Sequence, residues 1–442
     1  MTAPNSDHYN VDPDEVAGCV LSAFNALPAK RKPRQREDGA REWVPLSGIV
    51  LSKGTIPVHT TYGNMLTASS EDGGKLTCAA LATGMKCLPT SKLRPAKGNV
   101  LHDWHAEILA IRAFNRFLVD ECVDLAATGM RCAAYLRRRE EGEKSPADFQ
   151  TFAVKEDVGI HMYCSEAPCG DGSMELVMQE QDDATPWELP PATANDEDQA
   201  NEQPLRGRGY FSQLGIVRLK PSRPDAPPTL SKSCTDKLTL KQSTSVLSSL
   251  ASLLIHPSSS YIHTLTLPSS QHVPEATTRA FSRNGRMSAL PESMSQTWTG
   301  GYRFQPFHVL TTSREFEHSR RSGPPGQRLL PSNLSTAATP RLQETLIGGT
   351  LQGRKQFDPR GASRVCRSSM WAAALQVALV AGVPIVVEAL RDGSYKSVKA
   401  SKLQQDRRKV KEGVRNAVLK GWTKNEGDEE WELTTSVTRA SA

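Results

Sequence analysis

Apolar and polar positions along this chain follow two periods, one near 3.6 and one of 2. Residues 15–27 place Val16, Val20, Leu21 and Phe24 on one side, a spacing that predicts a short helix. Trp43, Val44, Leu46, Ile49, Val50 and Leu51 predict a strand over 43–52. A second strand is expected within 78–87, ending in Gly84-Met85-Lys86-Cys87. Trp104, Ile108, Ile111, Phe114 and Leu118 recur at helical spacing and predict a helix over 103–119, with Asp103 as its N-cap. Val158, Ile160, Met162 and Cys164 alternate as a strand does over 157–164, which puts Cys169 at a strand-to-helix turn. Residues 364–390 read as a helix (Met370, Leu375, Val377, Leu379) followed by a strand at Val383-Pro384-Ile385-Val386-Val387. In 406–422, Val410, Val414, Val418 and Trp422 mark one helical face, opposite a basic one.

Two stretches interrupt this pattern. Residues 179–205 are acidic, Pro-rich and poor in large apolar side chains, the composition of a disordered insertion. Residues 312–345 are rich in Ser, Arg and Pro and read as irregular. No internal repeat is visible. The chain divides into an N-terminal segment, 1–44, an elaborated domain over 45–432, and a tail, 433–442.

Composition narrows the class. With 442 residues, 38 % hydrophobic and 23 % charged, the chain can bury a large core. No run of about 18 apolar residues exists, so no transmembrane helix and no membrane partner are expected. Residues 1–14 are polar and acidic, unlike a signal or transit peptide. The nine cysteines lack secreted-type spacing and fit a reducing compartment, so an intracellular, nuclear or cytoplasmic location is expected and secretion is not. The net charge of +6 mildly favours a polyanionic partner, and its distribution says more. Lys30-Arg31-Lys32-Pro33-Arg34-Gln35-Arg36 is a basic run, compatible with nuclear import and equally with RNA contact. Residues 396–424 hold ten Lys or Arg against two acids, Asp406 and Glu412.

The candidate chemistry lies in His105-Ala106-Glu107, Pro168-Cys169-Gly170-Asp171 and Ser233-Cys234-Thr235-Asp236-Lys237. One imidazole, two thiolates and a carboxylate left free to move protons are the donor set of a hydrolytic zinc site with an open fourth position. His105 lies 64 residues before Cys169, and Cys234 lies 65 after it, so the ligands must be gathered by tertiary structure rather than paired as in a zinc finger. A helix start beside Cys169 would favour its thiolate. His102, Cys164, Cys87 and Cys366 are competing ligand candidates, but none has the flanking pattern, and each reads better as a structural residue.

The flanking residues resemble the RNA-editing adenosine deaminases (A-to-I editase domains), and within them the tRNA-specific branch. The segments that carry the resemblance are Ala82-Thr83-Gly84-Met85-Lys86-Cys87-Leu88-Pro89, His105-Ala106-Glu107-Ile108, Pro168-Cys169-Gly170-Asp171, Ser233-Cys234-Thr235-Asp236-Lys237-Leu238, Gly353-Arg354-Lys355 and Gly361-Ala362-Ser363-Arg364. Ser173-Met174 stands where the mRNA editors tend to carry Arg, and the N-terminal 40 residues are too short for a double-stranded-RNA-binding domain. The resemblance implies an α/β fold, a cytidine-deaminase-like mixed sheet sandwiched by helices. It implies Zn²⁺ held by His105, Cys169 and Cys234, with Glu107 shuttling protons as adenosine becomes inosine. It further implies tRNA as partner, at position 37 next to the anticodon and with the alanine tRNA anticodon loop as substrate. Gly84, Met85 and Lys86 resemble the loop that lines the nucleotide pocket; a solvated loop lysine is the plainer reading of Lys86.

Family members also bury inositol hexakisphosphate beneath the zinc. The matching positions are Arg112, Lys237, Arg367, Tyr395, Lys399, Lys409 and Trp422. The chain departs from the pattern at Arg367, where Lys is common, at Gln405, where a second Tyr is expected, and at Leu240-Lys241, where an Arg-Trp pair is usual. A solvated basic helix or an RNA-contact face is the alternative for 396–424. Alternatives for the whole chain are an editor of mRNA or other structured RNA, and a catalytically inactive RNA-binding relative. No obligate protein partner is indicated.

Overall fold

A computed structural model of the chain describes residues 11–53, 76–180, 205–207, 213–220, 226–324, 326–391 and 393–433. Eight strands form the main sheet: β1 (Leu46–Lys53), β2 (Thr77–Thr83), β3 (Val158–Cys164), β4 (Thr264–Pro268), β5 (His308–Thr312), β6 (Ser335–Thr339), β7 (Leu342–Ile347) and β8 (Thr350–Leu351). Their spatial order is β5-β4-β3-β1-β2-β6-β7-β8. The β5–β4 and β4–β3 pairs are parallel and the others antiparallel, so the sheet is mixed. The helices are α1 (Pro13–Asn25), α2 (Ala106–Thr128), α3 (Met174–Gln179), α4 (Cys234–Thr244), α5 (Pro274–Phe281), α6 (Glu292–Gln296), α7 (Arg367–Val380), α8 (Pro384–Arg391), α9 (Tyr395–Ala400) and α10 (Gln405–Ala417).

Strand alternation divides the apolar side chains between two layers. Ile49, Leu51, Ala80, Ala82 and Ala337 face α2 and α7, in the larger core. Leu46, Val50, Leu81, Tyr163 and Ala338 face α1, which docks Val16, Val20 and Phe24 on the opposite side. The sheet is therefore covered by helices on both faces, as the resemblance implied. α2 runs 23 residues and is buried over most of its circumference, which suits the hydrophobic run seen in the sequence.

Several expected elements differ in detail. The 43–52 strand breaks at Pro45: Arg41–Trp43 leaves to pair with Leu329–Pro331, and β1 starts at Leu46. A ring nitrogen without N–H cannot donate to the ladder, so the break falls there. The 103–119 helix begins three residues later, with His105 rather than Asp103 at the N-cap, and extends to Thr128. Residues 312–345, read as irregular, contain β6 and the start of β7. The Val383–Val387 stretch is not a strand: Pro384 opens α8, which buries Val386 and Leu390 at helical spacing. Of the 179–205 insertion only Gln179, Glu180 and Leu205 are among the described residues, and residues 434–442 of the tail lie outside them. No helix among the described residues is long and apolar enough to cross a membrane.

A candidate metal centre and its charged surroundings

Three chain segments converge at the ends of β2, β3 and α4. His105 caps α2, Cys169 follows β3, and Cys234 is the first residue of α4. Their donor atoms lie within 4.8 Å of one another, with His105 Nδ1 3.8 Å from Cys169 Sγ. The Cys234 N–H donates to Cys169 Sγ at 3.4 Å, the type of contact that stabilises a thiolate. Hydrogen bonding within the cysteine pair, together with Lys220 and His105, holds the Cys169 pKa well below the thiol range. Burial and the neighbouring Cys169 push Cys234 well above it. Such a pair shares one proton, which a bound cation would displace. The donor set fits zinc in type, number and spacing.

A second grouping, Cys87 with Asp103 and His105, has donor atoms equally close. Asp103 is not available to it. Its Oδ1 accepts from the His105 N–H at 3.0 Å, and its Oδ2 accepts from Lys220 Nζ at 2.9 Å, Ser231 Oγ at 2.8 Å and Lys237 Nζ. Burial opposes its charge, but Lys220 and Lys237 hold the carboxyl well below the usual range. Lys220 Nζ also reaches Cys234 Sγ at 3.1 Å. A chain of charged contacts thus runs from Cys234 through Lys220 and Asp103 to Lys237. The sequence points to Lys237, gives Asp103 only a capping role and does not single out Lys220. Its signal is slight: a lone lysine in a polar segment.

Two glycines allow these segments to meet. Gly84 has φ +147°, and a Cβ there would lie 2.2 Å from the Trp104 carbonyl oxygen. The Gly84 carbonyl accepts from Ala106 N at 2.9 Å, so this residue clamps the start of α2 against β2. Gly170 has φ +108°, and a Cβ there would lie 2.3 Å from Ser233 Oγ. Only glycine fits at these positive φ values with a backbone carbonyl or a capping serine side chain this close. Ser233 in turn caps α4 by accepting from Asp236 N at 3.0 Å.

Glu107 lies in the first turn of α2 and is 5 % exposed. Burial, then the Cys169 thiolate, raises its pKa. A carboxyl poised above the usual range is suited to exchange protons near neutral pH. Lys86 stands exposed at the rim, its Nζ bonded to Asn333 Oδ1, and partial desolvation lowers its pKa. Met85 packs partly buried on the α1 core.

Beyond Lys237 lies a cluster of cations. Arg367 pairs with Asp428 at 3.1 Å and lies 5.6 Å from the Tyr395 ring. Lys399 approaches the same ring at 5.6 Å, and Trp431 stacks on Tyr395 at 5.1 Å. Trp422 receives Lys232 at 5.5 Å and Arg415 at 4.9 Å. Arg112 donates weakly to the Val365 carbonyl at 3.4 Å and leaves its buried Nε without a partner. Lys409 does not join them: it is on the outer face of α10, 63 % exposed, 4.0 Å from Asp406. The inward positions are Arg407 and Lys411, which sequence reasoning missed, with Lys241 from α4. Burial and like charge lower the pKa of Lys241 and of Lys411 far below the ordinary amine. Arg407, Val410, Lys411, Val414 and Arg415 recur at spacings of three and four, so the buried Arg407 and the half-buried Lys411 and Arg415 share the inward face with the valines rather than opposing it. The unpartnered Nε atoms of Arg112, Arg407 and Arg415 leave the cluster with buried donors beyond those the Arg367–Asp428 pair accounts for. A polyanion fits it.

The chain matches the model of the adenosine-deaminase (editase) domain over residues 80–426. It is similar to the tRNA-specific adenosine deaminase 1 of Schizosaccharomyces pombe, with 34 % identity over 94 % of this chain and 95 % of that protein. Similarity to the protein of the same name from Saccharomyces cerevisiae is 33 % over 57 % of this chain and 56 % of that protein. Similarity to the mouse double-stranded RNA-specific adenosine deaminase is 35 %, but over 22 % of this chain and 7 % of that protein. The extent of these matches, over the same segments that build the metal centre, places the chain in the adenosine-deaminase (editase) family.

Proposed function

We propose that this protein deaminates adenosine to inosine in tRNA, at the position immediately 3′ of the anticodon, with alanine tRNA as the first substrate to test. The observation that carries the reading is the convergence of His105, Cys169 and Cys234 beside the buried Glu107. These three would hold zinc, which when bound supplies the Lewis acidity that makes water a nucleophile at neutral pH. Glu107 takes a proton from the attacking water and returns it to the departing amino group, and its raised pKa matches both directions of transfer. Lys220 compensates the negative charge of the thiolates and Asp103 fixes Lys220, so both are positioning residues. Lys86, Met85 and Gly84 form the rim over which an unstacked base would enter; unstacking is least costly in a single-stranded loop. Nine free cysteines suit an enzyme of the reducing nucleus or cytoplasm.

The deep cationic cluster would hold inositol hexakisphosphate through Arg112, Lys237, Lys241, Arg367, Lys399, Arg407, Lys411 and Arg415, with Tyr395 and Trp422 as aromatic walls. Its role is structural: it supplies the negative charge that the chain lacks there.

The test is inosine mapping in purified tRNA after incubation with wild-type protein and with Glu107→Ala, alongside elemental analysis. Inosine next to the anticodon from the wild type alone, with about one zinc per chain in both, supports the reading. No inosine with any tRNA, or a stoichiometric metal that survives Cys234→Ala, overturns it.

A further inference from the structure

On the face of the sheet that carries α1, a groove of about 360 Å³ opens between the N-terminal segment and the β7–β8 hairpin. Lys30, Arg31 and Arg354 line it, with Gln343, Thr345 and Gln352. Its one acid, Glu344, is already engaged by Ser363 Oγ at 2.5 Å and Arg364 N at 3.0 Å. None of the three cations is ion-paired among the described residues. We propose that this groove binds the sugar-phosphate backbone of the tRNA beside the target base; the inference rests on the tRNA reading above.

Its position argues for it. Thr83, Thr336 and Thr345 stand opposite one another across β2, β6 and β7. Two strand spacings therefore separate Thr83 from Thr345, ~10 Å. Thr83 leads directly into Gly84-Met85-Lys86, the rim of the metal centre. Arg31 bridges the other two threonines: its carbonyl accepts from Thr336 Oγ1 at 2.8 Å, and its Nη1 donates to Thr345 Oγ1 at 3.1 Å. The hairpin is tied to the same site, since the Gly349 carbonyl accepts from Leu101 N at 3.0 Å, four residues before His105. A phosphate bound here would lie within a few nucleotides of the adenosine at the zinc.

The chemistry also fits. Arg31 keeps a buried Nε without a partner, while Lys30 and Arg354 are exposed. A guanidinium with open donors between two exposed cations suits a phosphodiester, and amide side chains add neutral contacts. The segment is held in place rather than trailing in solvent. Leu27 and Phe24 anchor it in the core, and Ala29–Arg31 form a 3-10 turn. The start of the basic run is thus fixed on the body of the enzyme, where it can contact RNA.

The test compares Lys30→Ala/Arg354→Ala with the wild type in tRNA binding at several salt concentrations, using a full-length alanine tRNA transcript. Neutralising two phosphate contacts should weaken binding roughly tenfold and reduce the slope of log K against log salt by about one to two units. Arg31→Met should raise KM more than it lowers kcat, and Arg31→Lys should recover part of the loss. Unchanged affinity and slope in the double variant, with wild-type binding intact, overturns this inference alone. A wild-type protein that neither binds nor deaminates tRNA overturns the proposed function and this inference with it. Both double-variant positions are solvent-exposed, so folded yield should be unaffected.

Discussion

Two buried arginine-rich regions touch different faces of α4, and they handle charge in opposite ways. Near Asp236, two guanidinium groups meet carboxylates: Arg286 meets Asp236 at 2.7 Å, and Arg279 meets Asp171 at 3.2 Å and Glu175 at 2.6 Å, while Arg218 beside them donates to the Gly207 and Gln213 carbonyls. Near Lys241, Arg112, Arg407 and Arg415 each keep an unsatisfied Nε, and two lysines are pressed toward neutrality. The first region is self-contained and holds the cysteine-bearing turns in place. The second is where the proposed polyanion would supply negative charge, because buried ions cost several kcal/mol each unless paired. The chain between them, Lys237 to Asp103 to Lys220 to Cys234, means that the metal centre rests on both.

The largest effect should fall at the centre itself. Glu107→Ala is expected to slow deamination by about 10²–10⁴-fold while zinc content and thermal unfolding stay as in the wild type. Single-turnover assays with metal analysis check this; near-normal turnover would assign the proton transfer to another group.

Asp236→Asn tests the self-contained region. It leaves the Arg286 guanidinium buried without its counter-charge and should cost about 3–5 kcal/mol in urea unfolding. Pairing it with Arg286→Met should recover most of that loss. If the single and double variants are equally unstable, the pair is not what holds this region.

The open region should respond with the other sign. Lys411→Met removes one of several mutually repelling cations. In protein stripped of polyanion it should raise stability, and in protein supplied with inositol hexakisphosphate it should lower it, by about 1–3 kcal/mol each way. The same sign in both states would remove the case for an anion at this place.

A pH series sharpens the contrast further. Burial, with Lys237 and Arg415 nearby, lowers the Lys232 pKa to about 7 from 10.5. Between those values the unfolded chain binds more protons than the folded one, so stability of the anion-free protein should rise with pH across that window and level off below it. With inositol hexakisphosphate bound the lysines stay charged, and the rise should flatten. Calorimetry at pH 7 and pH 9, with and without the compound, separates the two. The smallest effect belongs to Lys409→Ala, which should leave the unfolding midpoint unchanged, since its side chain faces solvent.

Much of the site is legible in the amino-acid sequence. His105, Glu107, Cys169 and Cys234 sit in short segments whose flanking residues, Gly84, Pro168, Gly170 and Ser233, are there for local reasons: tight approach, turn and cap. α2 is legible because a long buried helix repeats its period many times. Other parts leave no sequence signal, for physical causes. β6 reads Ser-Thr-Ala-Ala-Thr, and all five residues are buried although none is large, so the hydrophobic pattern carries no trace of it. Val383–Val387 is β-branched like a strand, yet Pro384 at a helix start and the packing of Val386 and Leu390 make it helical.

The chain therefore encodes locally whatever a few neighbouring residues can specify: a ligand with its turn, a helix with its stripe, the excess of cations near the C-terminus. Which of those cations face inward is settled by the folded molecule. Lys409 and Lys411 are two residues apart on one helix and chemically identical. One lies in solvent beside Asp406, and the other is half-buried among Arg407, Arg415, Lys399 and Lys241. Desolvation and Coulomb interaction depend on what the rest of the fold packs around a group, and that information is spread over segments hundreds of residues apart.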